Sequence, residues 1–284
     1  MQKLKEFGKH KAVFAYRIDT DFFHPEHVKK TLDVAEKHGI KMTWFASMST
    51  GQYHKKDILR IAETQDAQNH AFEHETYQEE EKNFQNIMKA DKMLKEWGIE
   101  CSGFAAPFGK WNIGLAKALE KTGYLYSSEF REGRNVFPFF PMLGEKKAKV
   151  LQVPVHPVSF GNLLESGYSV QESMDYFDKI IDLLYTEQVP IFLYCHPAGR
   201  LGKYPQVLDR IFAKVKELDD VWFTNLTEYA EFWKEKGFGE KKTNFESHFA
   251  FFEKRDSLLR RAILFHRGQI LRVAMKKIKR RFHK

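Results

Sequence analysis

From residue 12 to about residue 237 the chain alternates between short apolar runs bounded by turn residues and longer stretches whose apolar positions recur every three to four residues. Runs of the first kind are AVFAYRID (12–19), KMTWFASM (41–48), AQNHAFE (67–73), CSGFAAPF (101–108), YLYSSEF (124–130), VLQVPVHPV (150–158), PIFLYCHP (190–197) and VWFTNL (221–226). β-branched and aromatic residues recur in most of them, and their length suits buried strands. Between most of them lie helical patterns such as PEHVKKTLDVAEKHG (25–39), EEEKNFQNIMKADKMLKEWG (79–98), NIGLAKALEKTG (112–123) and YPQVLDRIFAKVKELD (204–219). The first three end on Gly, which readily takes the left-handed conformation that closes a helix. Seven or eight strands with intervening helices predict a parallel sheet, either doubly wound or closed into a β/α barrel. In both, the chemistry sits at the C-terminal ends of the strands.

The polar residues at those ends are informative. The first run stops at Asp19, with Asp21 two residues on; residues two apart in a strand point to one side, so both carboxylates share a rim. AQNHAFEHETY places His70 at its strand end and His74 four residues later, and PIFLYCHP ends on His196. Taken singly each piece is bland: a strand-end Asp is ordinarily a turn or cap residue, and an isolated H-x-x-x-H pair is ordinarily structural. Together they suit a hydrolytic metal centre, because catalytic zinc takes three N or O ligands and keeps a fourth position for water, whose pKa falls to about 7. One carboxylate and one imidazole remain as base and acid, each typically worth about 10²- to 10⁴-fold in rate. HAFEH also matches the H-x-x-E-H zinc-protease signature, but that chemistry needs a helix. Here the histidines follow a strand-like run and the helix begins only near Glu79, so Glu73 reads as a loop residue.

A chain of 284 residues, 43% hydrophobic and 15% aromatic, can bury a sizeable core. Its net charge of +8 is uneven: Lys254 to Lys284 hold twelve Lys and Arg against one acid, Asp256, which leaves residues 1–253 at about −3. The stretch GFGEKKTNFESH (237–248) reads as a junction. The expected organisation is therefore a strand–helix domain over residues 1–240 and a basic amphipathic helical extension over 241–284. In that extension Leu258, Leu259, Ile263, Phe265, Ile270 and Leu271 recur among basic residues, a pattern suited to an anionic membrane surface reached through residues 254–284. Each basic residue near such a surface contributes about 1 kcal/mol. Nucleic acid is the alternative for any basic run and is not expected here; no Gly-rich phosphate loop follows any strand, which argues against nucleotide chemistry. With no run of 18 apolar residues and no leader-like start, a cytoplasmic protein is expected, at the inner face of the membrane if the extension binds there. Cys101 and Cys195 are too few for a disulfide framework or a thiolate metal site.

In this order the motifs resemble the polysaccharide deacetylases of the NodB-homology type, carbohydrate esterase family 4. RIDTD (17–21) is similar to the family's first motif, HAFEH (70–74) to its H-x-x-x-H second motif, GFAAPFG (103–109) to its third, R-x-P-[YF]-G, and FLYCHP (192–197) to its fifth. The D-x-D form, with GYLYSSEFREG and VLQVPVHPVS, resembles most the branch of lipid-linked 4-formamido-arabinose deformylases. The resemblance implies a distorted (β/α) barrel of seven or eight strands. It also implies metal-dependent hydrolysis of an N-acyl group, acetyl or formyl, from an amino sugar of a glycan or a lipid-linked precursor. By it Asp21, His70 and His74 hold one divalent metal, zinc first and cobalt, manganese or nickel as alternatives. Asp19 is the base, His196 the acid, and the backbone N–H of Phe108 faces the oxyanion. Arg17, Pro107, Glu129 and Leu193 are assigned to substrate binding, with Glu129 also a candidate to orient His196. The chain departs from the third motif at Ala105, where the family has an arginine that pairs with the catalytic Asp. Arg17, on the same strand face as Asp19, is expected to supply that charge. The alternative is an inactive barrel that binds carbohydrate, weakened by the loss at Ala105.

Overall fold

A computed structural model describes residues 5–129 and 137–239. Its strands are β1 (Ala12–Asp19), β2 (Thr43–Ala46), β3 (Asp66–Asn69), β4 (Gly103–Phe104), β5 (Tyr126–Ser127), β6 (Met142–Leu143), β7 (Lys146–Lys147), β8 (Leu151–Gln152), β9 (Ile191–Cys195) and β10 (Val221–Phe223). The helices are α1 (Pro25–His38), α2 (Met48–Gly51), α3 (Lys55–Thr64), α4 (Glu80–Glu96), α5 (Ile113–Thr122), α6 (Phe160–Glu165), α7 (Val170–Thr186), α8 (Pro205–Lys216) and α9 (Leu226–Glu235). Eight strands form one parallel sheet that runs β1-β2-β3-β4-β5-β8, with β9 and β10 both paired to β1; β6 and β7 make a separate antiparallel ribbon. Past β8 the chain turns back toward β9, and the His156 N–H donates to the Phe192 carbonyl at 2.7 Å, bringing the two ends of the sheet together. This is the expected distorted β/α barrel.

β1 is the spine. All eight of its residues are buried, and it is flanked on both sides: Phe14 pairs with Ile191 of β9 and Phe223 of β10, Arg17 with Thr43 of β2 and Tyr194 of β9. Its even-numbered residues face the helices, where the Phe14 and Tyr16 rings meet Phe212 of α8 edge-on at 6.0 and 5.8 Å. Its odd-numbered residues face the barrel interior, which puts Arg17 over the rings of Phe45 and Tyr194 and aims Asp19 at the rim. The helices wrap the outside with apolar faces inward: α1, α7 and α8 pack side by side, as do α4 and α5. Phe137 packs on Phe7 and Trp233 in the core. The extension at 241–284 lies outside the described residues, and no described helix is long and apolar enough to cross a membrane.

Candidate active site

β1 ends at Asp19, and the turn beyond it is pinned by Thr20, whose N–H donates to the Phe45 carbonyl at 3.1 Å and whose hydroxyl accepts from the Ser47 N–H. Asp21 is thereby held over the barrel mouth. β3 ends at Asn69, and its side chain accepts the Ala71 N–H at 2.7 Å. Ala71 sits at φ +66°, a conformation a Cβ-bearing residue adopts only when its surroundings impose it. That bend swings His70 and His74 towards Asp21. Asn86 of α4 fixes the following loop, accepting the Glu73 N–H at 2.6 Å and donating to the Glu73 and Glu75 carbonyls. Glu73 is a loop residue, as expected, and accepts from the Tyr77 hydroxyl.

His70 and His74 place Nε2 at 3.0 and 3.2 Å from Asp21 Oδ1. His70 Nδ1 lies 2.6 Å from the Ala105 carbonyl, which only accepts, so Nδ1 carries the proton and Nε2 presents a lone pair. The Nε2 of His74 is buried and makes no hydrogen bond. Three electron-pair donors thus converge within 4.8 Å of one another. A carboxylate and two imidazoles are a donor set that suits zinc, and the His70 bond to a carbonyl is the usual brace behind a metal-binding imidazole. The residues present fit a divalent cation. Asp19, Asp21 and His196 also lie within 4.8 Å of one another, but both Asp19 oxygens are already engaged.

Arg17 engages them. Its Nε and Nη2 donate to Asp19 Oδ1 and Oδ2 at 2.7 and 2.6 Å, a two-pronged ion pair between side chains whose residues are 2% and 4% exposed. Its remaining Nη1 donates to the Ser128 carbonyl and hydroxyl. Burial would raise the Asp19 pKa, yet the Arg17 guanidinium, with His70 and His196, holds it below the usual carboxylate range. Arg17 thus faces the Asp19 carboxylate where Ala105 cannot.

The remaining sequence candidates fall as follows. Phe108 stands at the rim at φ +61°, 49% exposed, its ring centroid 4.7 Å from that of His74. Pro107 is buried beneath it, and its carbonyl accepts from the Thr76 hydroxyl at 3.2 Å. Leu193 is 1% exposed and faces away from the mouth, because its neighbours Phe192 and Tyr194 alternate with it along β9. Glu129 is 2% exposed and does not reach His196; its Oε1 accepts from the Ala106 N–H at 3.0 Å and from the Ser127 hydroxyl. Burial pushes its carboxyl up despite Ser127 and Arg17. Its place is behind the Ala105–Phe108 turn, which it fastens to β5.

His196 follows β9. Its Nε2 lies 3.2 Å from Asp21 Oδ2, and its Nδ1 lies 2.9 Å from Nη1 of Arg200, a residue that sequence reading missed. Burial disfavours the imidazolium, but the carboxylates of Asp21 and Asp19 outweigh it and lift the pKa to about 10. The same imidazoles, against the cost of burial, hold the Asp21 pKa far below its ordinary value. These groups border a cavity of about 690 Å³ that the exposed side chains of Phe22 and Phe108 also line.

The family model for polysaccharide deacetylases matches residues 10–127, the stretch from before β1 to the end of β5 that carries the first three motifs. Over that stretch the chain is similar to the polysaccharide deacetylases. Among solved structures it is similar to one assigned to the polysaccharide deacetylases from Mycobacterium smegmatis, with 18% identity, a TM-score of 0.71, and coverage of 84% of this chain and 95% of that one. It is also similar to PuuE allantoinase, with 17% identity, a TM-score of 0.66, and coverage of 80% and 92%. A carbohydrate esterase family 4 pseudoenzyme from Bacillus anthracis aligns at 15% identity and a TM-score of 0.53, with coverage of 78% and 66%. At these identities the likeness shows the shared fold. No curated protein matches the sequence.

Proposed function

We propose that the chain is a metal-dependent hydrolase that removes an N-acyl group, acetyl or formyl, from an amino sugar of a glycan or a lipid-linked glycan precursor. The observation that carries this reading is the pairing of two arrangements on one rim: Asp21, His70 and His74 with converging lone pairs, and beside them Asp19 with both oxygens clamped by Arg17. A divalent cation held by Asp21, His70 and His74, zinc first, supplies Lewis-acid polarisation and lowers the pKa of water.

This chain's own groups do the rest. Asp19, kept ionised by Arg17, takes a proton from the attacking water as its oxygen bonds to the acyl carbon. The backbone N–H of Phe108 faces the oxygen on which charge develops, a kind of contact whose removal costs about 10²- to 10³-fold where measured. His196 delivers a proton from Nε2 to the sugar nitrogen as the C–N bond breaks, releasing a carboxylic acid and the amine. The proton taken by Asp19 restores His196. The rings of Phe22 and Phe108 offer apolar faces to a sugar at the mouth.

The test is release of acetate or formate from N-acetyl and N-formyl amino sugars and their oligomers by zinc-supplemented protein, with Asp19→Asn beside it. Release that falls at least about 10²-fold in Asp19→Asn agrees with the general-base role; release by neither form across the set speaks for the inactive carbohydrate-binding barrel, whose supporting observation is Ala105. The basic segment at 254–284 suits attachment of such an enzyme to an anionic membrane, at its cytoplasmic face. Full-length protein is expected to pellet with phosphatidylserine vesicles and a chain ending at Ala250 to stay in solution; equal pelleting removes the segment from the proposal.

A further inference from the structure

Phe108 owes the direction of its N–H to a turn, and a buried hydroxyl outside that turn holds it in place. The Gly109 N–H donates to the Ala106 carbonyl at 2.9 Å, which closes a four-residue turn with Pro107 second and Phe108 third. Positive φ at the third position belongs to turn types II and I′, and type I′ needs it at the second as well, which proline forbids. Ala106 to Gly109 is therefore a type II turn, with Phe108 at φ +61° where glycine or asparagine is the ordinary occupant. The commoner type I turn differs by a flip of the central peptide plane. That flip would return Phe108 to negative φ and relieve the strain of a side chain in the left-handed region. Ala-Pro-Phe-Gly, with proline second and glycine fourth, suits type I by its own preferences.

Thr76 opposes the flip. Its hydroxyl donates to the Pro107 carbonyl at 3.2 Å, and the Lys110 N–H, from the turn itself, adds a contact at 3.3 Å. The N–H and C=O of a planar trans peptide point opposite ways, and none of the described peptides is cis. With the carbonyl drawn to buried Thr76, the Phe108 N–H points the other way, to the cavity that Phe108 and Gly109 line. Turning the plane over would give that cavity a carbonyl oxygen instead, which repels developing negative charge.

Thr76 is itself fixed by two helices. Asn83 of α4 accepts the Tyr77 N–H at 2.9 Å and donates to the Tyr77 carbonyl at 2.8 Å, and Asn112, the N-cap of α5, donates to the same carbonyl at 2.8 Å. On the other side of Thr76, Asn86 donates to the Glu75 carbonyl at 3.1 Å. α5 approaches so closely that a Cβ on Gly114 would stand 2.0 Å from the Gln78 carbonyl oxygen. The start of the turn is seated separately, by Glu129 on the Ala106 N–H.

We propose that Thr76 is the positioning residue of the Phe108 N–H: its hydroxyl keeps the turn in the strained type II form, in which that N–H faces the mouth. The catalytic meaning rests on the N-deacylase reading, in which the N–H meets the developing oxyanion, whereas the orientation of the peptide does not.

The test joins NMR to kinetics on the full-length protein, with Thr76→Val to remove the hydroxyl at nearly constant volume. In a type II turn the Pro107 Hα lies close to the Phe108 N–H, so the wild type is expected to give a strong nuclear Overhauser effect between them. The effect is expected to weaken in Thr76→Val and to return in Thr76→Ser. On an N-acyl sugar that the wild type hydrolyses, kcat is expected to fall about 10²-fold in Thr76→Val with KM and metal content unchanged, because a contact made only in the transition state is lost. Thr76→Ser is expected to recover most of that loss. With glycine at 108 the type II form needs no lock, so adding Thr76→Val to Phe108→Gly is expected to lower kcat little further. A weak effect in the wild type overturns the proposal even if Thr76→Val fails to fold. So does a strong effect that persists in folded Thr76→Val, a weakened effect with kcat unchanged, or a loss of kcat accompanied by loss of metal, which would make Thr76 a brace for the loop that carries His74. If the wild type hydrolyses no N-acyl sugar the deacylase reading fails, while the peptide signal still decides whether Thr76 sets the plane.

Discussion

At the scale of single residues, the site rests on a buried ion pair whose members are two residues apart. Arg17 and Asp19 lie on one face of β1, and both guanidinium prongs meet the carboxylate. The Asp19 pKa is depressed in the folded protein, so the pair contributes stability that is present above the ordinary carboxylate pKa of about 4 and is lost as pH falls through the folded value. Breaking a buried pair by removing one partner typically costs about 3–5 kcal/mol. Urea denaturation of Arg17→Ala is therefore expected to show a loss of that order at pH 7 that narrows in acid, and the acidic limb of its pH–rate profile is expected to move upward. An unchanged acidic limb would end the assignment of Arg17 as the replacement for the arginine absent at Ala105. Asp19, Asp21, His70, His74 and Arg17 were legible in the sequence because residue type, strand end and a period of two specify them. Glu129 was not, since its partner depends on where the turn after β4 lies. Arg200 and Glu165 are 35 positions apart, and only α6 and the loop after β9 bring them to His196.

At the scale of elements, the parallel ladder depends on close approaches that particular residues allow. Gly103 of β4 pairs with Tyr126 of β5, and a Cβ on it would lie 2.2 Å from the Tyr126 ring. Overpacking of this kind typically costs about 1–3 kcal/mol, so Gly103→Ala is expected to lower the melting temperature by several degrees in a thermal scan; an unaltered transition would mean that the ring has room to turn. Long elements were readable: β1, α1, α5 and α8 match their apolar patterns to within a few residues, because burial along a whole face fixes the period. Short strands were overestimated for reasons visible in the backbone. The run VLQVPVHPV yields a ladder of only two residues, Leu151–Gln152, since Pro154 and Pro157 have no N–H to donate. AQNHAFE stops pairing at Asn69, as Ala71 turns to positive φ. Those interruptions free the strand ends to carry chemistry.

At the scale of the molecule, the alternation of strand and helix predicted a parallel sheet, doubly wound or closed into a barrel, with its chemistry at the C-terminal ends of the strands, and the motif resemblance chose the barrel. The structure places Asp19, Asp21, His70, His74, Phe108 and His196 there from β1, β3, β4 and β9. The same fold serves a polysaccharide deacetylase, an allantoinase and a pseudoenzyme, so the fold leaves open which chemistry this mouth performs. The central claim is that Asp21, His70 and His74 hold a divalent cation. The measurement that meets it most directly is elemental mass spectrometry of the full-length protein purified without chelator or added metal, beside His70→Ala, with circular dichroism to verify that both are folded. About one zinc or similar ion per chain in the wild type, absent from His70→Ala, is the predicted result. Metal-free wild-type protein that also fails to bind added zinc or cobalt would contradict it.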